Sequence, residues 1–198
     1  EKPDVMLVYG DTNSTLAGAL AASKLHIQVA HIEAGLRSYN MRMPEEQNRV
    51  LTDHISKWLF CPTATAKDNL KKEGIIDGVS ISGDVMLDSV LHFLKVAQNN
   101  PQKTAIFEQL KIRPKNYRLA TIHRAETTDG GLDAIIRIFK AFEKLPQLVV
   151  LPIHPRTRPL AEEAIKKCGF KNIKLIDPVG YLEMLLLTSN ACQVLTDS

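Results

Sequence analysis

The fold of this chain is decided by residues 5–32, VMLVYGDTNSTLAGALAASKLHIQVAHI. Apolar residues fill Val5–Tyr9 and predominate in Ile27–Ile32, and an alanine-rich segment of helix length, Thr12–Ser23, separates the two stretches. Continuous rather than alternating hydrophobicity predicts strands that are buried on both faces, as in a parallel sheet. A strand, a helix and a second strand in this order predict a βαβ unit, in which the small residues of the helix would let it lie close to the sheet.

The same alternation continues along the chain in two series, which the polar break Asn99-Asn100-Pro101 separates. We therefore predict two α/β units with parallel sheets, residues 1–100 and 101–198, connected through the amphipathic segment Val85–Ala97 and the break. The further predicted strands are Trp58–Cys61, Val79–Ile81, Leu119–Ile122, Leu148–Ile153, Ile173–Ile176 and Gln193–Leu195. The further predicted helices are Glu46–Ser56, Ala64–Glu73, Gly131–Lys144, Leu160–Lys167 and Tyr181–Leu187.

The composition is that of an ordinary globular protein. Of 198 residues, 44% are hydrophobic and 24% are charged, and 25 Lys and Arg against 22 Asp and Glu leave a net charge of +3. These values exclude a disordered or collagen-like chain. The small basic surplus is spread along the chain, so no nucleic-acid partner is predicted. No apolar run approaches the ~20 residues that cross a bilayer, so no membrane partner is predicted either.

The three cysteines, Cys61, Cys168 and Cys192, are odd in number and form no C-x-x-C pair. Each lies in an apolar context, which favours small buried side chains in a reducing, cytoplasmic compartment over a disulfide framework. No pair of His, Cys or acidic residues has the spacing of a zinc site, so no metal is predicted. The chain has no initiator Met and ends directly after an apolar run, and we interpret both ends as cut.

Polar residues at the carboxyl ends of the predicted strands are the candidate site residues, because ligands of open α/β sheets bind there. The first strand is followed by Gly10-Asp11-Thr12-Asn13-Ser14-Thr15. One such residue suffices to cap the next helix. A row of short polar side chains at a helix N-terminus also suits an anion or a sugar. Both interpretations stay open for Asp11 and Thr12.

The second strand ends in the segment His31-Ile32-Glu33-Ala34-Gly35-Leu36-Arg37. His31 and Glu33 point to one face of the strand, whereas Ile32 points to the other. A carboxylate in this place is costly unless it is paired or used in chemistry. Arg37 could be its partner in a structural ion pair, so a structural and a functional interpretation stay open.

A third acidic group, Glu45 and Glu46, follows Pro44 at a predicted helix start. Acids in a first helical turn complement the helix dipole, which alone would explain them. Three acid-bearing strand or helix ends in one βαβ unit, however, favour a second explanation. Carboxylates held close together shift one another's pKa values, which suits general acid and base catalysis.

The second series carries cationic residues at its strand ends. His123, Arg124 and Glu126 follow one predicted strand, and His154 with Arg156 repeats the arrangement one strand over. His123 and Arg124 could be a solvated loop pair that Glu126 neutralises. Across a cleft between the two units, they could instead bind an anionic substrate such as a diphosphate.

Taken together, these motifs resemble the non-hydrolysing UDP-N-acetylglucosamine 2-epimerases, and the resemblance runs through essentially all 198 residues. The family's opening Gly-Thr-Arg-Pro-Glu loop and the Gly-Gly and acidic stretch beyond Ser198 are missing, so we expect a fragment that is inactive alone. The markers are Gly10-Asp11-Thr12, His31 to Arg37, Pro44-Glu45-Glu46 with Asn48-Arg49, Cys61-Pro62-Thr63, Gly83-Asp84, His123-Arg124 with Glu126, His154-Pro155 and Thr196-Asp197-Ser198.

The resemblance implies a glycosyltransferase-B-like fold, in which two Rossmann-like units enclose the active site in a cleft. It implies a cytoplasmic isomerase of cell-surface polysaccharide biosynthesis that needs no cofactor and is a homodimer when full length. The reaction would convert UDP-N-acetylglucosamine to UDP-N-acetylmannosamine. It would proceed by anti elimination of UDP across C1–C2 to a 2-acetamidoglucal, followed by addition of UDP to the other face.

The resemblance also assigns roles to individual residues. The family's catalytic acids match Asp11, Glu33 and Glu45, and its cleft histidine matches His123, which with Arg124 could help UDP to depart. The positions expected to bind substrate are Thr12, Arg37, Arg42, Arg49, Arg124, Glu126, His154 and Ser198.

Two alternatives to this function stay open. The segments 38–42 and 122–126 look more like the subgroup that acts on UDP-2,3-diacetamido-2,3-dideoxy-glucuronate, with Arg42 as a partner for the sugar carboxylate. A nucleotide-sugar-binding or glycosyltransferase module would share the two-domain fold. A glycosyltransferase that uses one base, however, has no need of both Glu33 and Glu45.

Overall fold

The computed structural model describes residues 3–122 and 130–197. Contacts between residues divide the chain into two compact units, Glu1–Ser89 and Val90–Ser198. This division falls inside the helix Val85–Gln98, and the domain boundary at residues 100 and 101 stays a prediction. Within the described ranges, no helix is long and apolar enough to cross a membrane.

The first unit contains a four-stranded parallel sheet in the order β1-β2-β3-β4. Its strands are β1 Val5–Tyr9, β2 Gln28–Ile32, β3 Trp58–Cys61 and β4 Val79–Ile81, and its helices are α1 Asn13–Lys24, α2 Pro44–Ile55 and α3 Ala64–Lys72, with α4 Val85–Gln98 crossing into the second unit. Tyr9 pairs with Ile32 at the ends of β1 and β2. The two segments that follow these strands therefore leave the sheet side by side.

The core of the first unit confirms the close fit of the alanine-rich helix on the sheet. Ala19 and Ala22 of α1 are buried against β1 and β2. Burial on both faces, however, is a wrong prediction for β1, where Val5, Leu7 and Tyr9 are exposed. The physical reason is that α1 packs on one face of β1, and the described residues do not bury the other face.

The second unit contains another four-stranded parallel sheet, in the order β7-β6-β5-β8. Its strands are β5 Arg118–Thr121, β6 Val149–Pro152, β7 Ile173–Ile176 and β8 Gln193–Thr196, and the helices described in it are α5 Pro101–Thr104, α6 Ile106–Gln109, α7 Gly131–Glu143, α8 Arg158–Cys168 and α9 Tyr181–Asn190. The chain runs outward from β5 to β7 and then places β8 on the other side of β5. The carboxyl end of β5 is therefore a topological switch point, where open α/β sheets bind ligands.

The central strands of the second sheet are buried on both faces, as predicted. Leu119 of β5 and Val150 of β6 pack in one buried cluster with Leu187 of α9. Ala120 and Leu151, the next residues of the same strands, pack in another cluster with α7 and α8. Successive apolar residues in these strands thus reflect helices on both sides of the sheet.

The prediction of buried cysteines is correct for one of the three. Cys61 in β3 is fully buried, and burial together with the nearby charge of Asp53 raises the pKa of its thiol to about 11. Cys168 and Cys192 are exposed. Their apolar sequence neighbours misled the prediction, because Cys168 ends α8 at the surface and Cys192 lies just after α9.

Candidate active site

The turn after β1 combines a helix cap with an acidic side chain. Gly10 has a left-handed backbone (φ +64°), and its N–H donates a hydrogen bond to the carbonyl of Ile32 at 3.1 Å. Thr12 caps α1, because its hydroxyl accepts a hydrogen bond from the N–H of Thr15 at 3.3 Å. The capping interpretation is therefore correct for Thr12, whose contact with substrate stays a prediction. The cap leaves Asp11 for other partners.

Helix α2 supplies those partners to Asp11. The Arg49 guanidinium pairs with the Asp11 carboxylate, and the other nitrogen of its fork donates to Glu46 at 2.8 Å. The side-chain amide of Asn48 donates to the main-chain carbonyl of Asp11 at 2.9 Å and to Asn13 at 3.0 Å. Arg49, predicted to bind substrate, thus lies against a predicted catalytic carboxylate, and its contact with substrate stays a prediction.

Glu33 lies directly after β2 in a backbone conformation that is unusual for a residue with a side chain. Its φ is +75°, which costs on the order of 1 kcal/mol and is typical of functional sites. The N–H groups of Glu33 and Ala34 both donate to the carbonyl of Phe60 at 3.1 Å, which holds this conformation. One carboxylate oxygen of Glu33 lies 3.3 Å from the place that a Cβ of Gly10 would take. A glycine at position 10 therefore lets the carboxylate approach the turn after β1.

The surroundings of Glu33 favour its neutral form. Burial raises the pKa of this carboxyl group first, and the negative charges of Asp11 and Asp84 raise it further. The positive charges of Arg49 and His31 act in the opposite direction but do not outweigh them. Two acids in neighbouring turns thus have different environments, since Asp11 has a direct cationic partner and Glu33 is partly desolvated.

Glu45 and Glu46 have different positions although they are adjacent in the first turn of α2. Glu45 is exposed and lines one pocket together with Asp11, Thr12 and Asn48. Glu46 is 1% exposed. Successive residues of a helix point about 100° apart, so one acid faces the pocket and the other faces the protein.

The buried acid of this pair, Glu46, anchors the segment that precedes α2. Its two carboxylate oxygens accept hydrogen bonds from the N–H groups of Ser38 and Tyr39, both at 2.9 Å. Burial opposes the ionisation of Glu46, but these hydrogen bonds and the charge of Arg49 prevail and lower its pKa. We assign Glu46 to positioning, because its oxygens are already occupied by protein donors.

Behind the acids lies a buried network that the sequence did not predict. The ring of His31 is fully buried between Asp53 of α2, 2.7 Å from Nδ1, and the Gly10 carbonyl, 2.8 Å from Nε2. The other oxygen of Asp53 accepts from the Gly35 N–H at 3.1 Å and from Arg37 at 2.7 Å. The available signal was the helical spacing, since Asp53 follows Glu46 by seven residues and lies on the same face of α2.

Arg37 forms an ion pair, but not the pair with Glu33 that the sequence left open. Its guanidinium donates to Asp53 at 2.7 Å and to both carboxylate oxygens of Glu73 at 2.7 and 2.8 Å, rather than to Glu33. The side chain of Arg37 is 1% exposed. The predicted contact of Arg37 with substrate would need this network to open, and it stays a prediction. Arg42, also predicted to bind substrate, is exposed.

In the second unit, the strand ends enclose mainly apolar pockets. His154 is exposed beyond β6 and lines one pocket at the ends of β5, β6 and β7 with Ile122, Ile153, Val179 and Met184. Its Nδ1 accepts a hydrogen bond from the Arg156 N–H at 3.2 Å. The contact of His154 with substrate stays a prediction.

A further pocket in this unit lies on the other side of β5. Ile122, Ile138, Phe142 and Leu195 contribute to its wall, so apolar surface flanks the switch point on both sides. Four predicted site residues lie outside the described ranges, namely His123, Arg124, Glu126 and Ser198. Within those ranges, no group of three or more His, Cys, Asp or Glu residues is arranged to hold a metal ion.

Comparison with known proteins identifies the family of this chain. The family model described as UDP-N-acetylglucosamine 2-epimerase matches residues 1–198. The chain belongs to the UDP-N-acetylglucosamine 2-epimerase family. The family resemblance of the sequence and the predicted fold class, two α/β units with parallel sheets of glycosyltransferase-B-like type, are thereby confirmed.

Relatives and solved structures of this epimerase family match the whole chain. It is 55% identical over 203 residues to a "UDP-N-acetylglucosamine 2-epimerase homolog" of Methanococcus maripaludis, covering 100% of the chain and 56% of that protein. It is 52% identical over 204 residues to the UDP-2,3-diacetamido-2,3-dideoxy-D-glucuronate 2-epimerase of Pseudomonas aeruginosa, covering 100% of the chain and 54% of that protein.

Among solved structures, the Methanocaldococcus jannaschii UDP-GlcNAc 2-epimerase in complex with UDP-GlcNAc and UDP matches with a TM-score of 0.85 and 48% identity. This match covers 100% of the chain and 56% of that structure. The chain thus spans about half the length of the curated relatives it matches.

Proposed function

We propose that the complete protein containing this chain inverts C2 of a UDP-N-acetylhexosamine, converting UDP-N-acetylglucosamine to UDP-N-acetylmannosamine. The observation that carries this proposal is the convergence of Asp11, Glu33 and Glu45 at one edge of a parallel sheet. Membership of the epimerase family supports it. Inversion of a C–H centre requires removal of a proton from one face and delivery of a proton to the other, which needs more than one acid or base.

The proposed reaction proceeds by elimination and addition. A carboxylate removes the C2 proton, the electrons of the C–H bond form the C1=C2 double bond, and the C1–O bond breaks as UDP departs with its electron pair. The intermediate is a 2-acetamidoglucal. Protonation of C2 on the opposite face, with attack of a UDP oxygen on C1, restores the nucleotide sugar. The atoms and electrons balance without an oxidant or a reductant.

The environments of the acids suggest how they divide these roles. Glu33 has a raised pKa and fits a group that holds and delivers a proton. Asp11 has the guanidinium of Arg49 as a counter-charge and fits a group that acts as a carboxylate. Two acids of one site that have different surroundings are typical of acid and base pairs. The exposed Glu45 lines the pocket of Asp11, within reach of a bound sugar.

We further propose that residues of the second unit hold the UDP group. His123 and Arg124 would stabilise the departing diphosphate by charge-assisted hydrogen bonds. Glu126, His154 and Ser198 of the same unit, and Arg49 of the first unit, would add contacts to the substrate. The complete protein is proposed to be a cytoplasmic homodimer that takes part in cell-surface polysaccharide biosynthesis.

A second candidate substrate is UDP-2,3-diacetamido-2,3-dideoxy-D-glucuronate. A relative named for that activity is 52% identical over the whole chain, which lies between 55% for the UDP-N-acetylglucosamine 2-epimerase homolog and 49% for a relative named UDP-N-acetylglucosamine 2-epimerase. Arg42 is exposed between Glu33 and α2, where a guanidinium could pair with the carboxylate of the sugar. Both substrates require the same chemistry at C2.

The proposal is tested by incubating the complete protein with each UDP-sugar and following the sugar by proton NMR. We expect the UDP-linked C2 epimer to accumulate to an equilibrium mixture from one of the two substrates. Asp11→Asn should abolish most of this conversion, whereas Asp77→Asn, which changes an exposed aspartate of the same unit, should not. A protein that transfers the sugar to an acceptor, or leaves both UDP-sugars unchanged, would refute the proposed activity.

A further inference from the structure

The buried ring of His31 lies between two groups that accept hydrogen bonds. Its Nε2 is 2.8 Å from the Gly10 carbonyl and its Nδ1 is 2.7 Å from an oxygen of Asp53. A carbonyl oxygen and an ionised carboxylate can only accept. Both distances are within the range of N–H···O bonds, so both ring nitrogens have to donate.

The surroundings of Asp53 favour a proton on the ring rather than on the carboxylate. The second oxygen of Asp53 accepts hydrogen bonds from the Gly35 N–H at 3.1 Å and from the Arg37 guanidinium at 2.7 Å. Donors of this kind stabilise an ionised carboxylate. A proton on Asp53 would also leave Nδ1 of His31 as an acceptor beside the acid, at the cost of one charge-assisted bond.

We propose that His31 is an imidazolium, protonated on both nitrogens, that positions the catalytic turn and places a positive charge behind its acids. The catalytic role of this turn rests on the proposed function. The charge of the His31 ring does not, because it follows from the hydrogen bonds of the ring. Gly10 directly precedes Asp11 and packs against the carboxylate of Glu33. A ring that holds the Gly10 carbonyl therefore fixes the peptide on which both acids depend.

Helix α2 contacts the turn after β1 at two points directly and at a third point through His31. Asn48 holds the Asp11 carbonyl and Arg49 holds the Asp11 carboxylate. Asp53, one turn further along, reaches the Gly10 carbonyl through His31. Contacts from successive helical turns of α2 hold the loop after β1 more rigidly than a single contact would, as acid and base catalysis requires.

The charged groups around His31 come from each element packed against it. Asp53 comes from α2, and Arg37 lies on the far side of Asp53. Glu33 follows on its own chain segment, where the charge of His31 acts to lower the pKa of the Glu33 carboxyl group. Cys61 of β3 lies near Asp53, and its thiol is neutral at neutral pH because its pKa is raised to about 11. The charge of His31 is thus matched by Asp53 and felt by Glu33.

Nitrogen NMR of the complete protein, labelled with ¹⁵N at histidine, tests the charge directly. We expect the ring of His31 to carry protons on both nitrogens at neutral pH, with the signals assigned by their loss in His31→Gln. His26→Asn, which removes an exposed imidazole, should leave the two signals in place. An Nδ1 without a proton would overturn the proposal. This measurement does not depend on enzymatic activity, so it decides the proposal even if the protein is inactive on both UDP-sugars.

The pH dependence of kcat in His31→Gln tests the effect of the charge. The glutamine amide can still donate to the Gly10 carbonyl but carries no charge. We expect kcat to fall about tenfold with little change in KM, and the limb of the pH profile that reports Glu33 to move upward by about one pH unit. His26→Asn should change neither. Loss of kcat without a shift of that limb would show a merely structural role and overturn the proposal.

Discussion

Among the residues that the structure describes, the carboxyl ends of the two sheets carry different chemistry. In the first unit, α2 holds Asp11 through Arg49, and the charges of both residues act on Glu33. In the second unit, residues such as Ile122 and Val179 line apolar pockets on the two sides of β5. A nucleotide sugar has a reacting carbon that needs acids and a nucleoside that needs apolar surface. The comparison supports the proposal that the first unit supplies the proton transfer and that the second unit binds the UDP group.

The largest expected difference between the two units concerns catalysis, and a Glu→Gln substitution in each unit tests it. Glu33→Gln should lower kcat by ~10²–10⁴-fold with a smaller effect on KM, because it removes the proposed general acid or base. Glu163→Gln, on the exposed face of α8, should leave kcat unchanged. Steady-state kinetics of the complete protein measures both. Comparable losses from the two variants would remove the distinction between the units.

The two units should also differ in how much stability they lose when an aspartate is removed from an ion pair. Asp53→Ala leaves His31 buried without its carboxylate and leaves Arg37 with Glu73 as its remaining carboxylate partner, so we expect a loss of about 3–5 kcal/mol in the free energy of unfolding. Asp177→Ala breaks the pair with Arg158 in the second unit, where Asp177 is 90% exposed. That loss should be about 0–1 kcal/mol. Denaturant titrations of both variants measure these losses. Equal losses would show that the Asp53 network of the first unit is not buried.

Two glycines with similar backbones provide a matched pair. Gly10 (φ +64°) and Gly169 (φ +70°, at the end of α8) both have left-handed conformations, which cost an alanine about 1–2 kcal/mol. A Cβ at Gly10 would meet Glu33 at 3.3 Å, whereas a Cβ at Gly169 has no neighbour within 4 Å. Both substitutions to alanine should therefore destabilise the protein, but only Gly10→Ala should lower kcat, by about tenfold. A loss of kcat in both would contradict the role of the Gly10 turn.

The smallest expected effect is a gain in stability from the inactive variant. Because the pKa of Glu33 is raised in the folded protein, the folded state binds this proton more tightly than the unfolded chain. Ionisation of Glu33 therefore destabilises the fold as the pH rises through that pKa. Glu33→Gln should be more stable than the parent at neutral pH, and the difference should vanish below the ordinary glutamate pKa of about 4.3. A variant that is less stable at neutral pH would contradict the raised pKa of the Glu33 carboxyl group.

The acids of the site could be predicted because their positions follow from local rules. Asp11 and Glu33 come directly after strands whose apolar runs are plain in the sequence, and carboxyl ends of parallel strands meet at one edge. Their buried partners could not be predicted in the same way. Asp53 follows His31 by 22 residues, and only the packing of α2 on the sheet brings the two together.

The wrong predictions have the same physical origin. The sequence suggested Arg37 as a partner of Glu33 because they are close in the chain, but the folded protein offers Glu73, 36 residues away, from the end of α3. The exposure of Cys168 and of one face of β1 likewise depends on which elements pack where. Local pattern thus predicts element types and strand ends, and it does not predict which side chains meet across the fold.

Solvent exchange at C2 tests the central claim most directly. The complete protein is incubated with its UDP-sugar in deuterated water, and the product is analysed by NMR and mass spectrometry. If Asp11, Glu33 and Glu45 exchange protons with C2, the epimeric product carries deuterium at C2, because the original proton is lost to a side chain that equilibrates with solvent. Product that retains its original C2 hydrogen would contradict the elimination mechanism and the roles proposed for all three carboxylates.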